Sequence, residues 1–485
     1  MNIEELLEEK ELYKISILQL IEIEKNNFIL YSRVREITGL SKFKFNLYFG
    51  ELVEEIQMVT GSKQITLMDD GEIHCRKLNL EVVKEMRLYY FKSAPKFSIL
   101  TDLLVNEQSV EDFSENNHLS SSNVYVKRRE LKKFLKKNGI KIKKNRLLGD
   151  EQTIRTKLFC VYFEIFNGIL FPFPSTVEKS VNQLIRYAEH WLNLKLTHTE
   201  YVKLQLFLGI TTVRYQNKHP IDIDYLTDYD TDQNILNIFE TINFPKHDQL
   251  LKEIGAFILY LYLCLPDSFN GQNELVKKVD TDRFSKIDGE SKKIVKAIFE
   301  TLLLPNLGEA QAAEVNEVLL KKIIRTNRRY TIFNFHPFVF RSKKQINFFT
   351  ETYPEIAQKI REIIEDRLPY LSFDESINQA QLFYDYLFLL FDSCEIRMLE
   401  EPVYVCVDFS LGQQYSNYIA SQIRGFKNFN ITLEDRFSSR TDLFLSDCLI
   451  NKIGIEQIIW KNPPSSDDWE DFGNKIIHIK RKKIV

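Results

Sequence analysis

SSSNVYVKRRELKKFLKK, residues 120–137, followed by IKIKKNRLL, residues 140–148, is the stretch whose reading decides the fold of the N-terminal third of this chain. Its serine cluster, 120 to 122, suits a helix start, as does Ser109 with Asp112 three residues on in SVEDFSENNHL. The residues after the basic run alternate apolar and polar around Lys144-Asn145, a weak hairpin signal. Helix, turn, helix and two-stranded wing make a winged helix-turn-helix. The same plan stands 79 residues earlier: Leu40-Ser41 matches Leu119-Ser120, and Phe45, Leu52 and Ile56 match Val124, Leu131 and Leu135. There SKFKFNLYFGELVEEI precedes QITLMDDGEIHCR, whose Asp70-Gly71 is a strong hairpin signal. Two similar modules in tandem are expected.

The second module is strongly basic. Lys127, Arg128, Arg129, Lys132, Lys133, Lys136, Lys137, Lys141, Lys143, Lys144 and Arg146 stand against the single acid Glu130. A basic run alone is usually a solvated helix face. On a recognition helix with a basic wing behind it, the same run suits counterion release from duplex DNA. Ser121, Ser122, Asn123 and Tyr125 are the expected base or sugar contacts, and Lys127, Arg128, Lys132, Lys133 and the wing's Lys144 the expected phosphate contacts. In the first module Lys42, Lys44 and Asn46 open the third helix, but Glu51, Glu54 and Glu55 follow, so a weaker or accessory contact is expected there.

Over the whole chain this basic surface is hidden, because 65 Lys plus Arg nearly cancel 68 Asp plus Glu, for a net charge of -3. With 485 residues and 44% hydrophobic content the chain suits about three or four domains. Its six cysteines form no CxxC pair, which argues for a reduced, cytoplasmic protein without a zinc ribbon or disulfide framework. The acidic start MNIEELLEEKEL is unlike a signal peptide, and the longest apolar run, Gly255 to Leu265, is too short to span a bilayer and reads as a buried helix.

A second duplication follows the FPFP segment that ends at Pro174. KSVNQLIRYAEHWLNL from Lys179 matches KKIVKAIFETLLLPNL from Lys292, and His219-Pro220 and His336-Pro337 stand 117 residues apart. Val181, Leu184, Ile185, Ala188, Trp191 and Leu192 form an apolar stripe expected to face a core. From residue 402 the run VYVCVDF, then SLGQQYS, NYIASQIRGF, DLFLSDC and EQIIW, alternates strand, loop and helix, which implies a small α/β region with a mostly parallel sheet. His190 lies off the stripe beside Arg186 and should be reachable by solvent; an exposed imidazole can accept a phosphoryl group. There is no GxxxxGK[ST], HExxH, GxSxG or GxGxxG, and Cys406 sits in an apolar strand, so no enzyme, metal or cofactor is expected.

Two winged modules, a tandem helical pair with histidines and a C-terminal α/β region together resemble the Mga/AtxA family of virulence and global transcription regulators. The resemblance implies a multidomain, mainly α protein: winged helix-turn-helix modules over 1–78 and 79–170, the second being the main DNA reader; phosphotransferase regulation-like helical domains over 175–285 and 286–398; and an enzyme IIB-like α/β domain over 400–485. It implies a cytoplasmic DNA-binding activator without catalysis that forms a homodimer or higher oligomer through its last domain. It also implies modulation by histidine phosphorylation from the phosphocarrier protein HPr, with His190, His219 and His336 as the regulatory positions. Regulation domains usually follow the phosphorylated His by an Arg seven residues later; here Arg214 is present but position 207 is Phe. Enzyme IIB proteins place a Cys before the spaced Gly and Ser of their phosphate loop; here Gly412 and Ser416 follow Phe409, and Cys406 is three residues early. That replacement makes phosphotransfer catalysis unexpected. An antiterminator-like RNA binder and a non-catalytic interaction scaffold are the alternative readings.

Overall fold

The computed structural model describes residues 2–24, 29–227, 248–265, 268–269, 274–335, 349–371, 373, 379–395, 399–426, 429–450, 454–461 and 463–484. The chain forms two compact units, Met1–Asp280 and Thr281–Val485.

The first unit begins with α1 (Glu9–Glu24), α2 (Tyr31–Thr38), α3 (Lys42–Thr60) and the antiparallel hairpin β1 (Ile65–Leu67) and β2 (Ile73–Cys75). Then come α4 (Leu80–Ser93), α5 (Pro95–Val105), α6 (Val110–Asn116), α7 (Ser121–Lys136) and a second antiparallel hairpin, β3 (Lys141–Lys143) with β4 (Arg146–Leu148). The internal repeat has a physical basis. Ser41 and Ser120 cap α3 and α7 by accepting the amides of Lys44 and Asn123, which satisfies a donor the helix itself leaves free. Phe45, Leu52 and Ile56 in one copy, and Val124, Leu131 and Leu135 in the other, are all buried. The turn before each third helix needs a left-handed residue: Gly39 supplies it at φ 67, and His118, at the equivalent place, adopts φ 54. The serines and inward apolar positions thus recur because each copy solves the same turn and packing problem.

α8 (Glu151–Phe166), capped by Asp150, leads into the helical region α9 (Ser175–Trp191), α10 (His198–Gln216) and α11 (Asp248–Cys264). α10 packs against both α8 and α9. The apolar run in α11 is a buried helix, with Ile258, Leu259 and Leu261 fully enclosed. Among the described residues no helix is long and apolar enough to cross a membrane. Val181, Leu184, Ile185, Ala188 and Leu192 are buried as expected of the stripe, but Trp191 is 51% exposed. Trp191 is the last residue of α9, where its ring meets the His190 ring edge-on at 5.0 Å instead of entering the core.

In the second unit α12 (Ser285–Ile298) packs on α13 (Glu309–Ile332) and α14 (Pro354–Arg367), and both of these pack on α15 (Gln379–Ser393). A buried polar chain runs through them: Tyr386 donates to Asn327 Oδ1 at 2.8 Å, and Asn327 Nδ2 donates to Ser291 Oγ at 2.9 Å. The chain then forms β5 (Val403–Val407), α16 (Gln413–Ile423), β6 (Ile431–Glu434), β7 (Leu443–Ser446), β8 (Glu456–Ile459) and α17 (Ser466–Ile484). The four strands are parallel in the order β6-β5-β7-β8. Val403, Val405, Leu443 and Leu445 form its apolar centre with Ile419, Phe472 and Ile476 from the helices. The small parallel α/β fold expected from residue 402 onward is present.

Candidate nucleic-acid interface

α7 divides its side chains by helical phase. Val124, Leu131, Phe134 and Leu135 point inward. Ser122, Tyr125, Arg129, Lys132, Lys133 and Lys136 recur at steps of three and four and are all exposed, so they share one outer stripe. Ser121 and Asn123 are exposed in the first turn beside it. Tyr125 is tied lightly, its hydroxyl donating to Glu111 at 3.1 Å.

The two cations between these faces are engaged elsewhere. Lys127 Nζ lies 2.5 Å from Glu8 and 3.5 Å from Glu130, with its side chain only 19% exposed. Burial opposes its charge, but the hydrogen bond and the field of Glu8 with that of Glu130 outweigh burial and raise its pKa. Arg128 donates from Nη2 to Asn145 at 2.9 Å, within the wing turn, and burial lowers its pKa. Lys137 pairs with Glu5 at 3.1 Å, and Lys96 of α5 donates to the carbonyl oxygens of Glu5 and Leu7 at 2.7 Å. One flank of α7 is therefore docked on the acidic N-terminal segment, and the opposite flank is open.

The wing is basic as well. Its strands bury Ile142 and Leu147 while Lys141 and Lys143 face out, and Lys144 is exposed at the turn with φ 44. Among the described residues, Arg129, Lys132, Lys133, Lys136, Lys141, Lys143 and Lys144 form no ion pair. Seven exposed cations without an ion-pair partner, on one helix stripe and the hairpin that follows it, make this part of the surface strongly anion-seeking.

Residues 80–163 match the Mga helix-turn-helix domain, a span from the first residue of α4 to near the end of α8. Over this span the chain is similar to a Mga helix-turn-helix domain. A comparison with curated proteins finds no match to the chain. The Mga domain contains α7 and the wing, and such a helix-turn-helix implies DNA binding by a transcription regulator.

The corresponding helix of the first module, outside the Mga match, is different. Lys42 is exposed, but Lys44 pairs with Glu9 at 3.1 Å and Asn46 accepts a hydrogen bond from the Tyr31 hydroxyl. Glu51 is held by Lys10 and Lys14 at 2.6 and 2.7 Å. Among the described residues of this module there is no counterpart of the open stripe, and the exposed positions near its helix start include the apolar Phe43 and Leu47.

Of the three histidines, the two that are described stand in different surroundings. His190 is exposed at the last turn of α9. His219 is enclosed, with Nε2 2.6 Å from Glu107 of the Mga domain and both side chains nearly buried. His336 lies outside the described residues. Phe207, at the position seven residues before Arg214, is buried and stacked on Tyr260 at 4.0 Å.

Sequence reasoning missed the polar seam between α8, α10 and α11. Arg155 reaches Glu253 through Nη1 at 2.6 Å and Nη2 at 2.9 Å, and also bonds Glu151 at 2.9 Å. Burial opposes its charge, but the fields and hydrogen bonds of Glu253 and Glu151 outweigh burial and raise its pKa. Arg214, fully buried, pairs with Glu151 at 2.7 Å. These residues stand far apart in sequence and carry no local motif.

Cys406 is buried in β5, and burial pushes its thiol up to about 11. In the following loop Phe409 donates its amide to Ser416 Oγ at 2.9 Å, and the Ser410 amide donates to Asp447 Oδ1 at 2.8 Å. An internal carboxylate thus already occupies an amide donor of the loop. Among the described residues no group of His, Cys, Asp and Glu could hold a metal ion.

Proposed function

We propose that this protein is a transcription regulator that reads duplex DNA with α7 and the wing of its Mga domain. The observation that carries this reading is the open stripe. Arg129, Lys132, Lys133 and Lys136 with Lys141, Lys143 and Lys144 are free to neutralise phosphates, while Ser121, Ser122, Asn123 and Tyr125 stand at the helix start, where base edges are reached. Lys127 and Arg128 act instead as the joint between α7, the N-terminal segment and the wing.

The helical regions are read as regulation-like domains that receive phosphotransferase input, with HPr as donor and His190 as the accessible acceptor; solvent exposure of its ring supports this assignment. The α/β region is read as an enzyme IIB-like module without catalysis, since Cys406 is buried and Asp447 closes the loop. Self-association as a homodimer through this region is supported by Leu411, Phe437 and Leu449, exposed apolar residues from loops that follow β5, β6 and β7 at the carboxyl ends of the parallel strands. Competition binding of the full chain to duplex DNA against structured RNA tests the reading. Displacement by duplex supports it, and preferential displacement by RNA would install the antiterminator-like alternative.

A further inference from the structure

α3 holds in the first module the place that α7 holds in the second, so the internal repeat shows what the copy presents where α7 presents its cations. Ser122, Arg129, Lys133 and Lys136 of α7 correspond to Phe43, Gly50, Glu54 and Gln57 of α3. All four are exposed, and so is Leu47, one turn after Phe43. At 3.6 residues per turn, Phe43, Leu47, Gly50 and Glu54 fall within about 60° of one another. They lie opposite the buried Phe45, Phe49, Leu52 and Ile56. The face that is cationic in α7 is thus apolar in α3, with a gap at its centre.

Three features of this face suit a second helix. Phe43 is 78% and Leu47 45% exposed, so the two project from the surface as neighbouring apolar knobs. Gly50 stands inside a 19-residue helix, where glycine is weaker than alanine, yet its φ is not positive and an added Cβ would meet nothing within 4 Å. Neither the backbone nor the packing of its own chain calls for glycine there. The missing Cβ leaves a notch into which another helix can lower a side chain. The charges are split along the axis: Lys42 is exposed at the amino end, and Glu54 is exposed roughly three turns further on. Among the described residues neither forms an ion pair, whereas the intervening Lys44 and Asn46 are spent on Glu9 and Tyr31.

We propose that α3 is a self-association surface whose occupant is α3 of a second copy of this chain, lying antiparallel across a two-fold axis. Such a contact sets residue i against residue j and j against i, so the face must complement itself. With the axis between positions 48 and 49, Leu47 of each copy faces Gly50 of the other, and Phe43 with Lys42 comes beside the other copy's Glu54. Each leucine fills the notch that a glycine leaves, and each unpaired cation meets an unpaired anion. A parallel copy would instead set lysine beside lysine and glutamate beside glutamate. The phosphate backbone of DNA finds no cation on the stripe and is repelled by Glu54. The seam of one helix pair falls short of the roughly 1,200 Å² at which interfaces hold by themselves, so the contact is weak and acts between copies already held close. It uses no residue of the duplex-reading face and is separate from the self-association proposed for the α/β region.

Sedimentation velocity of the full chain without DNA, at low salt and from micromolar to hundred-micromolar concentrations, tests the contact. Lys42→Glu and Glu54→Lys each bring like charges together at both symmetric places and should weaken association roughly tenfold. The exchange of both, Lys42→Glu with Glu54→Lys, should restore it. Gly50→Leu closes the notch and should weaken association while the thermal midpoint holds or rises, because the space around Gly50 is open and leucine favours helix. This last variant keeps loss of contact apart from loss of fold. A fall in mass in the three single variants with recovery in the exchange supports the antiparallel pair, whether the fall ends at monomer or at a dimer held by the α/β region. Equal association in all variants overturns it, as does an exchange no stronger than the single changes. A chain that is monomeric throughout also overturns it and leaves the face to a different protein. Unchanged mass with weakened duplex binding in the α3 variants overturns it as well and places DNA on this helix.

Discussion

Arg214 of α10 donates from Nη2 to the carbonyl oxygen of Leu147, in wing strand β4, at 3.1 Å, and from Nε and Nη2 to Glu151 at 3.0 and 2.7 Å. A backbone acceptor of the wing is therefore satisfied by a buried side chain from outside the matched Mga span. Since a buried polar group left without its partner costs about 1–3 kcal/mol, the wing is built to be complete only with the helical region beside it. The same seam contains Arg155 and Glu253.

Removing one side of that seam should be far worse than removing both. Glu253→Ala leaves the Arg155 guanidinium buried with Glu151 and the carbonyl oxygen of His219, for an expected loss of about 3–5 kcal/mol. The double change Arg155→Met with Glu253→Leu should recover much of that loss. Denaturant midpoints followed by far-ultraviolet dichroism check both, and an unshifted midpoint in the single variant would contradict the assigned role.

Lys127 and Arg129 stand two residues apart but should fail differently. Lys127→Ala breaks the contact with Glu8 and is expected to cost about 1 kcal/mol of stability while leaving the salt dependence of duplex binding within one phosphate contact of the original. Arg129→Ala should leave the thermal midpoint nearly unchanged and weaken binding. Thermal unfolding beside salt-titrated binding distinguishes the two residues.

Acid should weaken the α/β region through Glu456. Hydrogen bonds from Lys482 at 2.6 Å and Lys475 at 3.0 Å hold this carboxyl down to about 2 from an ordinary 4.5. Its folded-state value is depressed, so its contribution is present above the ordinary carboxylate range and is lost as pH falls from about 4.5 toward about 2. Glu456→Gln should flatten stability across that window, as read from denaturation midpoints at successive pH values. An unchanged slope would count against the pair.

Thiol chemistry should follow exposure. Cys448 is exposed, whereas Cys406 is buried with its thiol raised to about 11. Burial with the adjacent Asp447 also raises Cys448, so its alkylation at pH 8 should be slow but should precede that of Cys406 in the native protein. Mass mapping of alkylated peptides gives the order, and early labelling of Cys406 would reverse it.

The elements near the repeat were legible because their causes are local. Ser41 and Ser120 cap helices within three residues, and Leu52 and Leu131 are buried by helical phase alone. The parallel sheet was legible from apolar strands such as VYVCV separated by a helix. What the site lacked was local in none of its causes. Whether a lysine on α7 faces water or Glu8 depends on a partner 119 residues away, and His219 meets Glu107 across 112 residues. Trp191 continues the apolar stripe in sequence, yet the helix ends there and the ring is left outside. Helical phase did separate Arg129 and Lys136 from Lys127, a signal available in the spacing from Ser122 and Tyr125.

The most direct test of the central claim is the salt dependence of duplex binding by the full chain, compared with a variant carrying Arg129→Ala, Lys132→Ala, Lys133→Ala and Lys136→Ala. Each phosphate contact contributes about 0.9 to the slope of log affinity against log salt, so four lost contacts should flatten it by roughly 3 to 4. That flattening, in a variant whose dichroism and thermal midpoint match the original, is the expected result. An identical slope in both proteins would contradict the assignment of DNA to the open face of α7.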